Sequence, residues 1–173
     1  SFHQDLFSWH LPSNTVTQLT FNENLRRFDI SDDGSYLIAE RSRHGYSQLV
    51  KIDLSSENTN TSIEILTAKS LENIYDFPRI RPNTMIDNIT NKKPTQFAYL
   101  VSTLNNKWQL KIKTLGEEQE QIIPLPEGYQ FLSFPEWSKD GRDLYYVAGL
   151  DDATQLYRYN LKQNQLISLH TNE

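Results

Sequence analysis

The chain has 173 residues, a formal net charge of −5 and no cysteine. An acidic balance disfavours binding to the nucleic-acid backbone, and the lack of cysteine excludes disulfides and thiolate metal sites. The length fits one domain, and the many Tyr, Phe, Trp, Val, Ile and Thr residues favour strands over helices.

No apolar run approaches the roughly 18 residues of a membrane span, and no signal-peptide pattern opens the sequence. The first residue is Ser1 and a strand pattern begins at Asp5, so the expectation is a mature or excised segment. Residues 5–11 (DLFSWHL) alternate and end at the turn cluster Pro12-Ser13-Asn14; residues 15–20 (TVTQLT) complete a hairpin. Residues 25–30 (LRRFDI) lead into Ser31-Asp32-Asp33-Gly34. This is a tight turn in which Ser or Asp bonds back to the backbone and Gly supplies positive φ. Strands follow at 36–40, 47–54 and 62–67, with a polar loop at 41–46.

The next unit is longer. Residues 75–81 (YDFPRIR) read as extended, with Pro78 removing one ladder donor. Residues 82–94 (PNTMIDNITNKKP) interrupt the pattern, and strands resume at 95–101, 107–115 and 119–125, with a turn at Asn105-Asn106. The last unit has strands at 130–136, 143–148, 154–160 and 165–169, with a turn over 138–141 and a loop at Asp151-Asp152. No segment has helical periodicity over three turns; the best, 68–74, has room for a single turn.

The sequence repeats itself. Residues 31–54 recur without a gap at 138–161: Ser31, Asp33, Gly34, Leu37, Gln48, Leu49 and Leu54 fall on Ser138, Asp140, Gly141, Leu144, Gln155, Leu156 and Leu161. A shorter signature, Gln-Leu-x-x-x-x-Leu, starts at Gln48, Gln109 and Gln155, with a weaker copy at Asp5. The steps are 43 residues from Leu6 to Leu49, 61 from Leu49 to Leu110 and 46 from Leu110 to Leu156. Four strands per step and no helix predict an all-β fold, a partial β-propeller of about three and a half four-stranded antiparallel blades. The units are residues 1–20 (a half blade), 21–67, 68–126 and 127–173, within a single propeller segment.

Blades stacked face to face bury both faces. Leu49, Ile52 and Leu54, and Leu110, Ile112 and Leu115, are therefore expected between blades, as are most of Tyr145, Tyr146, Tyr157 and Tyr159. Propellers close with about four to eight blades, so the expectation is a piece of a larger propeller with further blades upstream. Exposed strand edges and one open blade face would favour self-association.

The succession of strand, Ser-x-Asp-Gly, strand, short polar loop, Gln/Asp-Leu motif and a strand ending Leu-Thr resembles the TolB-type repeat of the broad WD-like propeller class. The matching residues are Ser31-Asp32-Asp33-Gly34, Ser138-Lys139-Asp140-Gly141, Leu19-Thr20 and Leu66-Thr67. The third unit departs, with Arg81-Pro82-Asn83 at the turn and Ile123-Pro124 at the last strand; the final unit ends Leu169-His170. The resemblance implies a non-catalytic protein-interaction or sensing module with protein partners, often bacterial and periplasmic or otherwise extracytoplasmic. Two alternatives keep the fold: the extracytoplasmic sensor of a CadC-like membrane-anchored winged-helix transcription regulator, and the propeller of a prolyl-oligopeptidase-type peptidase.

Candidate chemistry is sparse. His3, His10, His44 and His170 share no ligand spacing and read as surface or packing residues. Asp32-Asp33 and Asp151-Asp152 are neighbours on turns, not carboxylates facing each other across a cleft; weak cation binding at the second pair is the alternative. There is no Gly-x-Ser-x-Gly elbow, phosphate loop, His-Glu-x-x-His or EF-hand loop, so no catalytic, metal or cofactor residue is expected and the chain is read as no enzyme. The 82–94 insertion is the expected partner-binding element, because loops on a rigid scaffold carry recognition; its candidate residues are Asn83, Met85, Ile86, Ile89, Lys92 and Lys93. The acceptor triplets at Asn60 and Asn88 matter only in a glycosylating host.

Overall fold

In a computed structural model the described residues are 4–54, 62–82, 95–103, 105, 107–150 and 153–169. Strands β1 (Phe7–His10) and β2 (Thr15–Gln18) form a two-stranded sheet. Three four-stranded sheets follow in chain order. The first holds β3 (Leu25–Ile30), β4 (Tyr36–Arg43), β5 (Tyr46–Asp53) and β6 (Ile63–Ile65). The second holds β7 (Asn73–Ile80), β8 (Gln96–Thr103), β9 (Trp108–Thr114) and β10 (Glu120–Ile122). The third holds β11 (Phe131–Trp137), β12 (Asp143–Leu150), β13 (Ala153–Asn160) and β14 (Gln165–Leu169). Each sheet is a meander of antiparallel neighbours, so the fold is all-β: three blades and a half blade.

The period of two in a strand sends alternate side chains to opposite interfaces. In β4, Leu37 and Ala39 join Val50 and Ile52 against the half blade, while Ile38 and Leu49 face the second blade. In β8, Phe97, Tyr99 and Val101 return that contact, while Ala98 and Leu100, with Leu110 and Ile112, meet the third blade. The apolar runs at 37–39 and 97–101 are continuous because both faces of these strands are covered. Leu49 and Leu110 each pack toward the following blade, and Ile52 toward the preceding one. Tyr146, Tyr157 and Tyr159 are buried between the second and third blades, and Tyr145 is half-buried on the other face of β12. The third blade's counterpart of Leu49, Leu156, is 42% exposed, because no further blade covers it among the described residues.

The repeated turn is one structure built twice. Ser31 and Ser138 each receive the glycine N–H at 2.8 Å on their carbonyl, and each hydroxyl bonds an aspartate Oδ1 two residues on, at 2.8 and 2.7 Å. Both hydroxyls then accept a backbone N–H, from Tyr36 at 3.1 Å and Asp143 at 3.0 Å. Hydrogen bonds from the Ser35 hydroxyl, the Ser35 N–H and the Ser31 hydroxyl pull the exposed Asp33 carboxyl down from 3.8 to about 2. A folded-state value below the unfolded one contributes stability above the unfolded value, lost as pH falls through the folded value. Asp33→Asn is therefore expected to lose less stability than the parent between pH 3.8 and 2, read from urea midpoints across that interval.

The Leu-Thr strand ending also has a physical reason. Thr20 Oγ1 accepts the Leu6 N–H at 2.9 Å, and Thr67 Oγ1 accepts the Leu49 N–H at 2.9 Å. In each case the threonine hydroxyl completes the ladder where the last strand has run out, satisfying a buried donor. The match assigns β1 and β2 to the two outer strand positions of a blade. Two expectations need correction. The polar loop at 41–46 shrinks to His44-Gly45, because β4 and β5 stay paired out to Arg43 and Tyr46. Segment 68–74 contains no helical turn; Ser70 bridges Ser47 and β7 begins at Asn73.

Candidate functional site on the inner strands

Strands β3, β7 and β11 begin their sheets, and β7 contacts both of the others, so these three edges gather on one side of the arc. Each carries a register break at the same place, between Arg26 and Phe28, Asp76 and Arg79, and Ser133 and Glu136. The bulged residues Arg27, Phe77 and Phe134 have φ of 37°, 47° and 52°. A bulge bends the strand and re-aims one side chain. Pro78 and Pro135 sit inside two of these bulges, where the ladder needs no donor.

The three re-aimed side chains form a continuous row. The Arg27 guanidinium lies 4.5 Å from the Phe77 ring centroid, and the Phe77 and Phe134 rings meet edge-to-face at 5.4 Å and 66°. Arg27 also pairs with Asp76 of the second blade, and Asp29 accepts the Ile80 N–H at 2.7 Å. Arg79 bridges to Glu136 of the third blade at 3.1 Å, and Trp137 Nε1 donates to the Arg79 carbonyl at 2.9 Å. Behind the row, Glu40 is buried, with Oε1 2.9 Å from Arg26 Nη2 and Oε2 3.9 Å from Arg27 Nη1. Burial, and then the nearby charge of Asp76, push the Glu40 carboxyl up, while Arg26 and Arg27 oppose the rise.

Both carboxylates nearest the row are held by arginines, and no nucleophile or histidine lies among these contacts. Among the described residues no group of three or more His, Cys, Asp or Glu is placed to hold a metal ion. The row leaves Phe134 63% exposed, and Phe28 and Phe131 on the same strands are also exposed. Exposed aromatic rings beside an arginine can take apolar or aromatic side chains.

The insertion residues Asn83, Met85, Ile86, Ile89, Lys92 and Lys93 lie outside the described residues, as do His3, His170 and Asp151-Asp152. The roots of the insertion are visible. Arg81 N–H donates to the Gln96 carbonyl at 2.8 Å, as Ser31 N–H does to Tyr36, so the insertion replaces the Ser-x-Asp-Gly turn of its blade. Arg81 Nε reaches the Gly141 carbonyl at 2.6 Å, which sets those roots against the neighbouring blade's turn. His10 is exposed and bonds Ser13 Oγ at 2.7 Å; His44 occupies a hairpin tip. Sequence reasoning missed Arg27, Phe77 and Phe134. The signal was present: Phe134 stands 107 residues after Arg27, the offset of the long repeat, and Phe-Pro recurs at 77 and 134 inside strand patterns.

No family model and no curated protein matches the sequence. Solved structures do match. The crystal structure of TolB from Acinetobacter baumannii superposes with a TM-score of 0.65 at 16% identity, covering 95% of this chain and 37% of that one. A puromycin-hydrolysing peptidase from Mycobacterium tuberculosis superposes with a TM-score of 0.67 at 14% identity, covering 90% of this chain and 24% of that one. The chain thus spans about a third and about a quarter of the lengths of these two structures. Ser-x-Asp-Gly turns, Leu-Thr strand ends and meandering four-stranded sheets together with these superpositions establish that the chain has the TolB-like β-propeller fold.

Proposed function

We propose that this chain is a non-catalytic, protein-binding segment of a TolB-like propeller, with the inner-strand row as its contact surface. The observation that carries the reading is the set of three equivalent bulges that lines up Arg27, half-buried Phe77 and exposed Phe134 in one row. A fold held by inter-blade packing has no structural need for exposed phenylalanines there, and contiguous exposed apolar surface rimmed by charge marks interaction sites. The resemblance to TolB-type repeats supports an extracytoplasmic, periplasmic setting.

The test is comparative capture from an extract of the parent organism with the purified chain, Phe134→Ser, and a deletion of residues 83–93. Loss of a specific partner with Phe134→Ser at unchanged melting temperature is the expected result. The same partners recovered by the parent chain and Phe134→Ser alike would overturn the row as the contact surface; loss on the deletion alone would move the site to the insertion. Independently, the open aromatic face of the half blade, with Trp9 opposite exposed Val16, predicts self-association of the isolated chain. Light scattering is expected to show mass rising with concentration; a monodisperse monomer would contradict it.

The peptidase reading keeps one specific support, the superposition on 24% of the puromycin-hydrolysing enzyme. It requires a Gly-x-Ser-x-Gly nucleophile in flanking sequence, whereas a CadC-like sensor requires a winged helix and an apolar span upstream. The full gene separates all three.

A further inference from the structure

The chain is acidic, with a net charge of −5, yet one end of the first blade gathers cations around a cavity. Strands β4 and β5 are joined by His44 (φ 51°) and Gly45 (φ 79°) alone. Two successive positive φ values make a type I′ turn, whose twist matches the strands and holds the tip rigid. Strand alternation places Arg41 and Arg43 on the same side of β4. The segment after β6 is pinned alongside: Ser47 N–H donates to the Ser70 carbonyl at 3.3 Å, and Ser47 Oγ accepts the Tyr75 N–H at 3.0 Å. Lys69 is thereby held over Tyr46, with Nζ 6.0 Å from the ring centroid. Arg41, Arg43, His44, Tyr46 and Lys69 line a cavity of about 240 Å³.

The charges in this cluster are not balanced. Glu23 Oε2 lies 2.5 Å from Arg41 Nη2 and 3.9 Å from Arg43 Nη1, while Lys69 makes no ion pair among the described residues. One carboxylate thus serves two guanidiniums, and Lys69 adds a third cation to the cavity lining. The Arg41 side chain is only 11% exposed, and its Nε is buried without a hydrogen-bond partner. A buried guanidinium donor left without an acceptor is costly, and such a group belongs where a partner is bound.

We propose that this cavity binds a tetrahedral oxyanion of phosphate or sulfate size. Arginine forks with a lysine beside them match such an anion in charge and in donor geometry. Glu23 holds the arginines in place in the empty site and competes with the incoming anion for their N–H groups. The anion has two possible sources, free phosphate or a phosphate monoester, and the two titrants below separate them.

The experiment is titration of the chain with inorganic phosphate and, separately, with O-phosphoserine, followed by the backbone amide resonances of His44, Gly45 and Tyr46. Saturable shifts confined to this hairpin are expected, with the tighter titrant identifying the source. Removing two exposed cations in Arg43→Gln/Lys69→Gln should weaken binding by at least about tenfold, and those surface positions leave the core intact. Glu23→Gln should tighten binding by removing the competitor. Arg142→Gln, in the separate basic cavity beside Arg81 and Lys162, should change nothing. Shifts that never saturate, equal affinity in the double variant, or weaker binding in Glu23→Gln would overturn the proposal.

Discussion

Tyr146→Ala is expected to destabilise the chain by about 3–5 kcal/mol, the cost of deleting a fully buried aromatic ring from a packed interface. Tyr146 sits between the second and third blades with no exposed surface, its ring stacked on Tyr157 at 5.7 Å and 18°. Its hydroxyl donates to the Pro124 carbonyl at 2.9 Å. That bond matters because the second blade ends Ile123-Pro124 where the half blade and the first blade end Leu-Thr, so the threonine that closes those two ladders is missing there. Burial raises the Tyr146 phenol well above its ordinary value. Tyr146→Phe keeps the ring and removes the hydroxyl, and should cost about 1 kcal/mol. Leu156→Ala, on the uncovered face of the same blade, should cost well under either value. Urea denaturation followed by tryptophan fluorescence ranks the three. Equal losses for Tyr146→Ala and Leu156→Ala would mean that the second and third blades are not packed as described.

The two glycines of the repeated turn should respond differently to the same substitution. Both have left-handed backbone, Gly34 with φ +69° and Gly141 with φ +65°, so alanine is strained at either. At Gly34 an added Cβ meets nothing within 4 Å, and Gly34→Ala should cost about 1 kcal/mol from the backbone alone. At Gly141 the Cβ would stand 3.1 Å from the Pro82 carbonyl oxygen and 3.2 Å from Arg81 Nε. The first of these is a backbone atom, so relief requires a shift of the main chain. Arg81 also donates to the Gly141 carbonyl, so the crowding disturbs a bond between blades. Gly141→Ala should therefore cost about 2–4 kcal/mol, backbone strain plus overpacking. Differential thermal melts of the two variants check the gap between them.

The strands and their grouping were legible because period-two alternation and the Asp-Gly and Leu-Thr signals are local. Residues 31–54 and 138–161 announce the same two-strand unit before any coordinate is known. The inner-strand row was not legible in the same way. Arg27, Phe77 and Phe134 come from three blades, and Arg27-Phe28 lacks the proline that marks the other two bulges. A bulge moves one side chain out of alternation, and the pattern alone does not say which way it turns. The basic hairpin was hidden for the opposite reason: Arg41 to Tyr46 is polar enough to read as a loop, yet cross-strand pairing carries it to a two-residue turn. The insertion at 82–94 was singled out because it breaks the repeat. Its roots at Arg81 and Gln96 occupy the place of the regular turn, as the spacing implied.

Inner-strand geometry is where fold and proposed function meet, and aromatic nuclear Overhauser spectroscopy of the selectively labelled chain tests it most directly. Ring-to-ring cross-peaks between Phe77 and Phe134, with side-chain cross-peaks from Arg27 to Phe77, are the predicted result. Phe77 and Phe134 rings showing contacts only within their own blades would contradict the alignment of the three bulges, and with it the surface assigned to partner binding.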